Sequence, residues 1–203
     1  MSDVDIEVTD NKRIDVGGGL SLPKGWDVVA VGEPNVGGVI RLHVAFDAQL
    51  RRTAAVSVRL DRAGEGEEVT AAALRDVRVQ YLVAFSSMRM LTVTREGGKP
   101  QHFNDYVHEV RSRDDRSYQE AVREAATLYR IATTVNVAPL KLVSENLGVS
   151  VSTATRMMAR AREAGLAADL ITRETYNRMR AHEDPNTGPY VGPTSPSGPS
   201  MGL

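Results

Sequence analysis

Residues 140–159 read LKLVSENLGVSVSTATRMMA, and this stretch decides the fold of the C-terminal half of the chain. Val143 and Leu147 are spaced as the inner face of a first helix. Gly148 stands where that helix has to end, because a left-handed backbone costs little only when there is no Cβ atom. The stretch therefore predicts two short helices joined by a tight turn.

The second helix is predicted to run from about Ser150 to Arg162. The Ser150 hydroxyl is suited to accept from the free N–H groups that open a helix. Ala154, Met157 and Ala161 recur at spacings of three and four, which predicts the buried face. The outer face then consists of Ser152, Thr153, Thr155, Arg156, Ala159 and Arg160. Small hydroxyl residues in the first turn followed by arginines are typical of a helix that enters the DNA major groove, about 12 Å wide.

This outer face predicts sequence-specific binding of double-stranded DNA. The residues predicted to contact DNA are Lys141, Ser150, Ser152, Thr153, Thr155, Arg156 and Arg160. Lys141 and Arg130 are candidates for phosphate contacts, which carry little sequence information. The structural alternatives are a helical hairpin that only packs and, for the arginines, an ordinary solvated face.

Three segments resemble the helix-turn-helix domains of bacterial and phage DNA-binding proteins, particularly actinobacterial ones: residues 118–133, 138–156 and 161–166. The resemblance covers roughly residues 117–166 and implies a three-helix unit. It also implies DNA contacts at Ser150, Ser152, Thr153, Arg156 and Arg160. Residues 167–182 read as another helix and not as the strand pair of a wing, so a simple helix-turn-helix is expected.

The upstream region favours strands and a few helices, so the fold class is predicted to be α+β. Residues 39–44 and 54–60 have strand patterns between glycine-rich turns, helices are expected near 70–75 and 80–90, and 96–100 reads as a loop. Thr70 is a suitable N-cap for the first of these helices. The charge-dense run 111–116 suits a hinge or an exposed helix start, and the domain boundary is placed after it.

The predicted organisation has four parts. A flexible N-terminus spans 1–13, an α+β domain of unknown role 14–116, an all-α helix-turn-helix domain 117–182, and a disordered tail 183–203. The tail is assigned from its Pro, Gly, Ser and Thr content. Residues 117–180 are the basic part, with nine Lys and Arg against six Asp and Glu, although the net charge of the chain is −1.

Composition excludes several classes of site. The chain has no cysteine, which removes disulfides, thiol nucleophiles and cysteine-bearing zinc sites. His102, Asp105, His108 and Glu109 share a helical face but match no recognised metal spacing. Neither a phosphate-binding loop nor a serine nucleophile elbow is present in the sequence. The prediction is a protein that is not an enzyme and carries no metal and no cofactor.

Location and partners follow from the same reading. The first ten residues carry four acids in place of a basic, apolar leader, and no run approaches the roughly 20 apolar residues of a membrane span. A cytoplasmic protein is therefore expected. Because specific DNA complexes bury about 1,000–2,500 Å² of protein surface, one helix is too little and a homodimer is predicted.

The most direct interpretation is a transcriptional regulator, in its simplest form a repressor, whose N-terminal domain provides oligomerisation, a protein contact or ligand sensing. One alternative is an accessory protein of replication, partition or phage packaging that organises or processes DNA. Another is a protein-interaction module. The DNA sequence bound and the effector, if one exists, are left open.

Overall fold

Six strands and six helices form the part of the chain that the structure describes, residues 3–170 of a computed structural model. In chain order they are β1 (Asp3–Gly17), β2 (Leu20–Val31), β3 (Val39–Asp47), β4 (Arg52–Asp61), α1 (Ala71–Asp76), α2 (Val79–Met90), β5 (Thr92–Val93), β6 (Gln101–His102), α3 (Phe103–Ser112), α4 (Tyr118–Thr134), α5 (Pro139–Leu147) and α6 (Val151–Glu163). An antiparallel sheet is followed by helices, so the predicted α+β class is confirmed.

The strand β2 lies at the centre of the sheet. β1 pairs with β2 along its whole length, β3 with its second half and β5 with its first two residues. β4 extends the sheet beyond β3, and β6 extends it beyond β5. One face is buried, and the side chains at its centre are no more than 2% exposed: Leu22, Trp26, Val28, Ile40, Leu42 and Val44. Helix α2 packs against β2 and β4, where Ser87 Oγ donates to Thr53 Oγ1 at 2.9 Å.

The N-terminal segment differs from the prediction. Residues 3–13 are not a flexible terminus but form most of β1. Val4, Ile6 and Val8 are half-buried and alternate with exposed acids, which is the period-two pattern of an edge strand. The alternation of Val4, Ile6 and Val8 with acids is the local signal of this strand.

The turn between β1 and β2 is held by a distant segment. Gly17, Gly18 and Gly19 all have positive φ, and Thr94 N donates to Gly19 O at 2.7 Å. A Cβ atom at Gly19 would overlap the carbonyl oxygen of Thr94, closer than real Cβ contacts come. Only glycine fits this position.

The predicted helices of the N-terminal part are found close to their expected bounds. Helix α1 starts at Ala71, and Thr70 Oγ1 accepts from Ala73 N at 3.1 Å, as its predicted capping role requires. Helix α2 starts one residue before the predicted position. The predicted helix 167–182 is described only to residue 170, and residues 167–169 form a turn; its remainder and the predicted tail 183–203 lie outside the described residues.

A buried carboxylate ties α4 to the segments before it. Glu124 is 7% exposed, and its carboxylate lies 2.5 Å from Arg116 Nε and 3.6 Å from both Arg95 and Arg113. Burial raises the pKa of Glu124, although the three arginines act in the opposite direction. The run 111–116 thus ends α3 and packs onto α4 instead of forming a hinge. Residues on both sides of the predicted boundary at 116/117 belong to one compact unit that extends to Ala168.

Candidate nucleic-acid interface

The helices α4, α5 and α6 pack on one another, and α4 is the longest of them. The start of α4 is fixed by a capping box, in which Glu120 N donates to Ser117 Oγ at 3.2 Å and Ser117 N donates to Glu120 Oε2 at 2.9 Å. The side chains that recur along α4 at spacings of three and four are buried or half-buried except for Tyr118, which is 59% exposed. Tyr118 is the first residue of α4, and its side chain hydrogen-bonds with that of Arg160 on α6.

The turn between α5 and α6 has the geometry that the sequence predicts. Gly148 has φ +64°, and its N–H donates to Ser144 O together with the N–H of Val149. Both bonds go to the same acceptor, a carbonyl group in the last turn of α5. Ser150 Oγ then accepts from Thr153 N at 3.1 Å and caps α6, as expected.

Replacing Gly148 with alanine should destabilise the protein by about 1–2 kcal/mol, because a left-handed φ is unfavourable for a residue with a Cβ atom. An added Cβ would meet no atom within 4 Å, so the cost is conformational alone. The measurement is chemical denaturation. Gly64→Ala is the matched control. An added Cβ at Gly64 also meets no atom within 4 Å, but Gly64 has no positive φ, so this variant should be as stable as the unaltered protein.

The inner face of α6 contains the three predicted residues and one more. Ala154, Met157 and Ala161 are buried, which confirms that prediction. Met158 is also buried, at 1% exposure, and was not predicted. Its spacing of four from Ala154 and three from Ala161 is the signal that would have identified it.

The outer face of α6 presents short polar side chains beside one another. Ser150 Oγ lies 2.9 Å from both Ser152 Oγ and Thr153 Oγ1. Thr153 is half-buried, whereas Ser150, Ser152, Thr155, Arg156 and Arg160 are exposed. No acidic residue occupies the first turn of α6, so the positive end of its dipole is not neutralised from within the helix.

The three exposed cations predicted to contact DNA, Lys141, Arg156 and Arg160, differ in their partners. Arg160 Nη1 lies 2.8 Å from Glu163 Oε2, and this contact raises the pKa of Arg160. Lys141 Nζ lies 3.8 Å from Glu145 Oε1. Arg156 Nη2 donates to Thr153 Oγ1 at 3.3 Å, and within residues 3–170 no carboxylate lies within 4 Å of its guanidinium group. The guanidinium group of Arg156 is thus the one most available to a ligand.

Two other candidates, the phosphate contact Arg130 and the acid Glu109, are engaged with other parts of the protein. Arg130, considered as a phosphate contact, is half-buried with its guanidinium group against the backbone of Gly18, so it does not belong to the exposed surface. Glu109, considered with nearby histidines, pairs with Arg95 and accepts from Gln101 at 3.2 Å. Within the described part of the chain, no three His, Asp or Glu side chains converge to hold a metal. Nor is any helix in that part long and apolar enough to cross a bilayer.

The chain matches no protein-family model, no curated protein and no solved structure.

Proposed function

We propose that the chain binds double-stranded DNA sequence-specifically through a helix-turn-helix formed by α5 and α6, with α6 as the recognition helix. The observation that carries the proposal is the exposed outer face of α6. There, hydroxyl groups in the first turn precede Arg156, which has no carboxylate partner among residues 3–170. Within this proposal the protein is a cytoplasmic transcriptional regulator, most simply a repressor, and not an enzyme.

The shape of α6 supports insertion into a major groove. A helix with side chains is about 10–12 Å wide, which matches a groove about 12 Å wide. The first turn of α6 carries Ser152 and Thr153, whose hydroxyl groups can donate to or accept from base edges. Arg156, one turn further, can reach a guanine with two parallel hydrogen bonds.

The phosphate contacts of the proposed complex come from cations at the edge of this surface. Lys141 and Arg160 are both exposed, and each pairs with a carboxylate on its own helix. Exposed pairs of this kind contribute little to stability, so exchanging the carboxylate for a phosphate costs little. These residues position the protein, whereas Ser152, Thr153 and Arg156 read the sequence.

Two copies are needed for a specific complex of ordinary size. One helix contributes only part of the 1,000–2,500 Å² that such complexes bury, so we propose a homodimer on half-sites about one DNA turn apart. The sheet β1–β4 is available for dimerisation, for a protein partner or for an effector. Residues 117–182 are the DNA-binding domain in this proposal.

The test is selection of bound genomic fragments with the purified full chain, followed by affinity measurements on the selected duplex. Affinity should fall steeply as salt rises, because phosphate contacts release counterions. A pseudo-palindrome near a promoter supports a regulator, whereas a repeat array supports an accessory protein of replication or packaging. Retention of no duplex, or an affinity that does not fall as salt rises, contradicts the proposal.

Arg156→Ala should weaken binding to the selected duplex by about 5- to 150-fold, equivalent to about 1–3 kcal/mol, because a bidentate base contact is lost. Fluorescence anisotropy at one fixed salt concentration measures the change. Arg62→Ala is the control, since Arg62 is an exposed arginine outside α4–α6. Equal affinities for the two variants would remove Arg156 from the interface.

A further inference from the structure

Two stripes of side chains run side by side along the exposed face of α6. The first, the methyl stripe, consists of Val151, Thr155 and Ala159, which recur every four residues and are all exposed. The second is polar and lies one residue further along the chain: Ser152, Arg156 and Arg160. Val151 is 52% exposed although it is a β-branched apolar residue, so the methyl stripe leaves apolar surface in water.

Thr155 belongs to the methyl stripe because of the hydrogen bond that it makes. Its Oγ1 donates to the carbonyl oxygen of Val151 at 2.9 Å. The hydroxyl group is therefore turned toward the helix backbone and its proton is used there, as is common for threonine within helices. The γ-methyl group is the part of the side chain left to contact a ligand.

We propose that the methyl stripe reads the C5-methyl groups of thymines while Arg156 reads a neighbouring guanine, so that each target half-site places thymines beside a guanine. This inference rests on the DNA-binding function proposed above. Thymine alone among the four bases presents a methyl group in the major groove, and small apolar side chains are its usual contacts. Guanine presents the two acceptors that suit an arginine.

The length of the methyl stripe limits how many bases it reads. Its three residues span about 12 Å along the helix axis, at 1.5 Å per residue. Base pairs rise by about 3.4 Å, so the stripe covers roughly three consecutive pairs. The half-site is thus short, with thymine methyl groups within one small block beside the guanine.

A protein-docking surface is the other use of an exposed apolar stripe, and the side chains argue against it. The centres of protein interfaces are enriched in large aromatic residues and depleted of small ones such as alanine. The methyl stripe contains only small side chains and borders Arg156 and Arg160. The small size of its side chains suits a groove edge of DNA better than the centre of a protein interface.

The experiment replaces each thymine of the selected duplex in turn with deoxyuridine, which lacks only the C5-methyl group. Affinity of the full chain should fall about three- to fourfold at each contacted thymine, the change expected for losing one buried methyl-sized group. Thr155→Ser keeps the hydroxyl bond and removes only the methyl group. This variant should bind the thymine duplex about three- to fourfold more weakly than the unaltered protein. At one position, replacing thymine with deoxyuridine should then cause no further loss of affinity. Val151→Ser should show the same indifference at a different position.

The controls separate this inference from the function on which it rests. Arg62→Ala should retain every uracil penalty, and thermal unfolding checks that each variant is folded. If the duplex is bound but uracil is tolerated everywhere, or if Thr155→Ser keeps all the penalties, thymine reading is overturned and DNA binding stands. If no duplex is bound at all, the DNA-binding function itself fails and the inference fails with it.

Discussion

Thr153→Glu is expected to leave the protein folded and slightly more stable while reducing affinity for its DNA by about 100-fold. Thr153 is the third residue of α6, three positions after the N-cap Ser150. A carboxylate there accepts from the Ser150 N–H and faces the positive end of the helix dipole, together worth about 0.5 kcal/mol. The same carboxylate repels DNA phosphates, and like-charge contacts of this kind cost several kcal/mol in a complex. It can also pair with Arg156 and so compete with the DNA for this side chain.

The chain already contains the arrangement that this variant would reproduce. In α4, Ser117 and Glu120 occupy the corresponding positions and form a complete capping box. Hydrogen bonds from Arg113 and then from Ser117 lower the pKa of Glu120 to about 2. Since the contribution of a carboxylate with a depressed pKa is present above its ordinary value and lost only as pH falls toward 2, the box in α4 is intact at neutral pH.

The matched control for Thr153→Glu is Thr153→Gln, because glutamine can complete a capping box without adding charge. Thermal unfolding and anisotropy on the same duplex are measured for both variants. The glutamine variant should lose much less affinity than the glutamate variant. If the glutamate variant binds as tightly as the unaltered protein, the first turn of α6 does not face DNA.

Gly19→Ala is expected to destabilise the protein by about 3 kcal/mol or more, enough to remove much of the stability of a domain of this size. The added Cβ would overlap a backbone atom, the Thr94 carbonyl oxygen, which has no rotamer to change. The positive φ costs about 1–3 kcal/mol in a residue with a Cβ atom. The steric overlap costs a similar amount, about 1–3 kcal/mol, and the two add. Urea denaturation gives the change directly.

Gly97→Ala is the control that separates the cost of positive φ from the cost of the overlap with Thr94. Gly97 has φ +70°, close to the +77° of Gly19, but an added Cβ there meets no atom within 4 Å. It should cost only about 1–2 kcal/mol, from the backbone conformation alone. Equal losses for the two variants would mean that the β1–β2 turn can move away from Thr94.

The features that the sequence predicted correctly depend on neighbouring residues. The turn at Gly148, the caps at Thr70 and Ser150 and the buried Ala154 each follow from a local periodicity or from a side chain that serves its own backbone. Such signals are complete within a few residues of sequence. The end of α5 at Gly148 and the bounds of α6 were predictable for the same reason.

The features that were missed depend on the rest of the fold. Nothing near Arg130 in the sequence indicates that its guanidinium group lies against Gly18, more than one hundred residues earlier. The charge-dense run that suggested a hinge has a buried partner in Glu124, which only the packing of α4 reveals. β1 was missed because an edge strand has few apolar residues and the acids dominated its composition.

The pairing of Glu124 with three arginines that precede α4 determines how this protein can be cut and recombined. A graft that carries only residues 117–168 onto another scaffold leaves all three guanidinium groups behind. The transplanted helix would then bring an uncompensated acid to the new junction, and an unpaired buried charge costs about 3–5 kcal/mol. Chimeras that exchange DNA-reading specificity should therefore replace side chains on α6 and keep the native strands, loops and helices around it together.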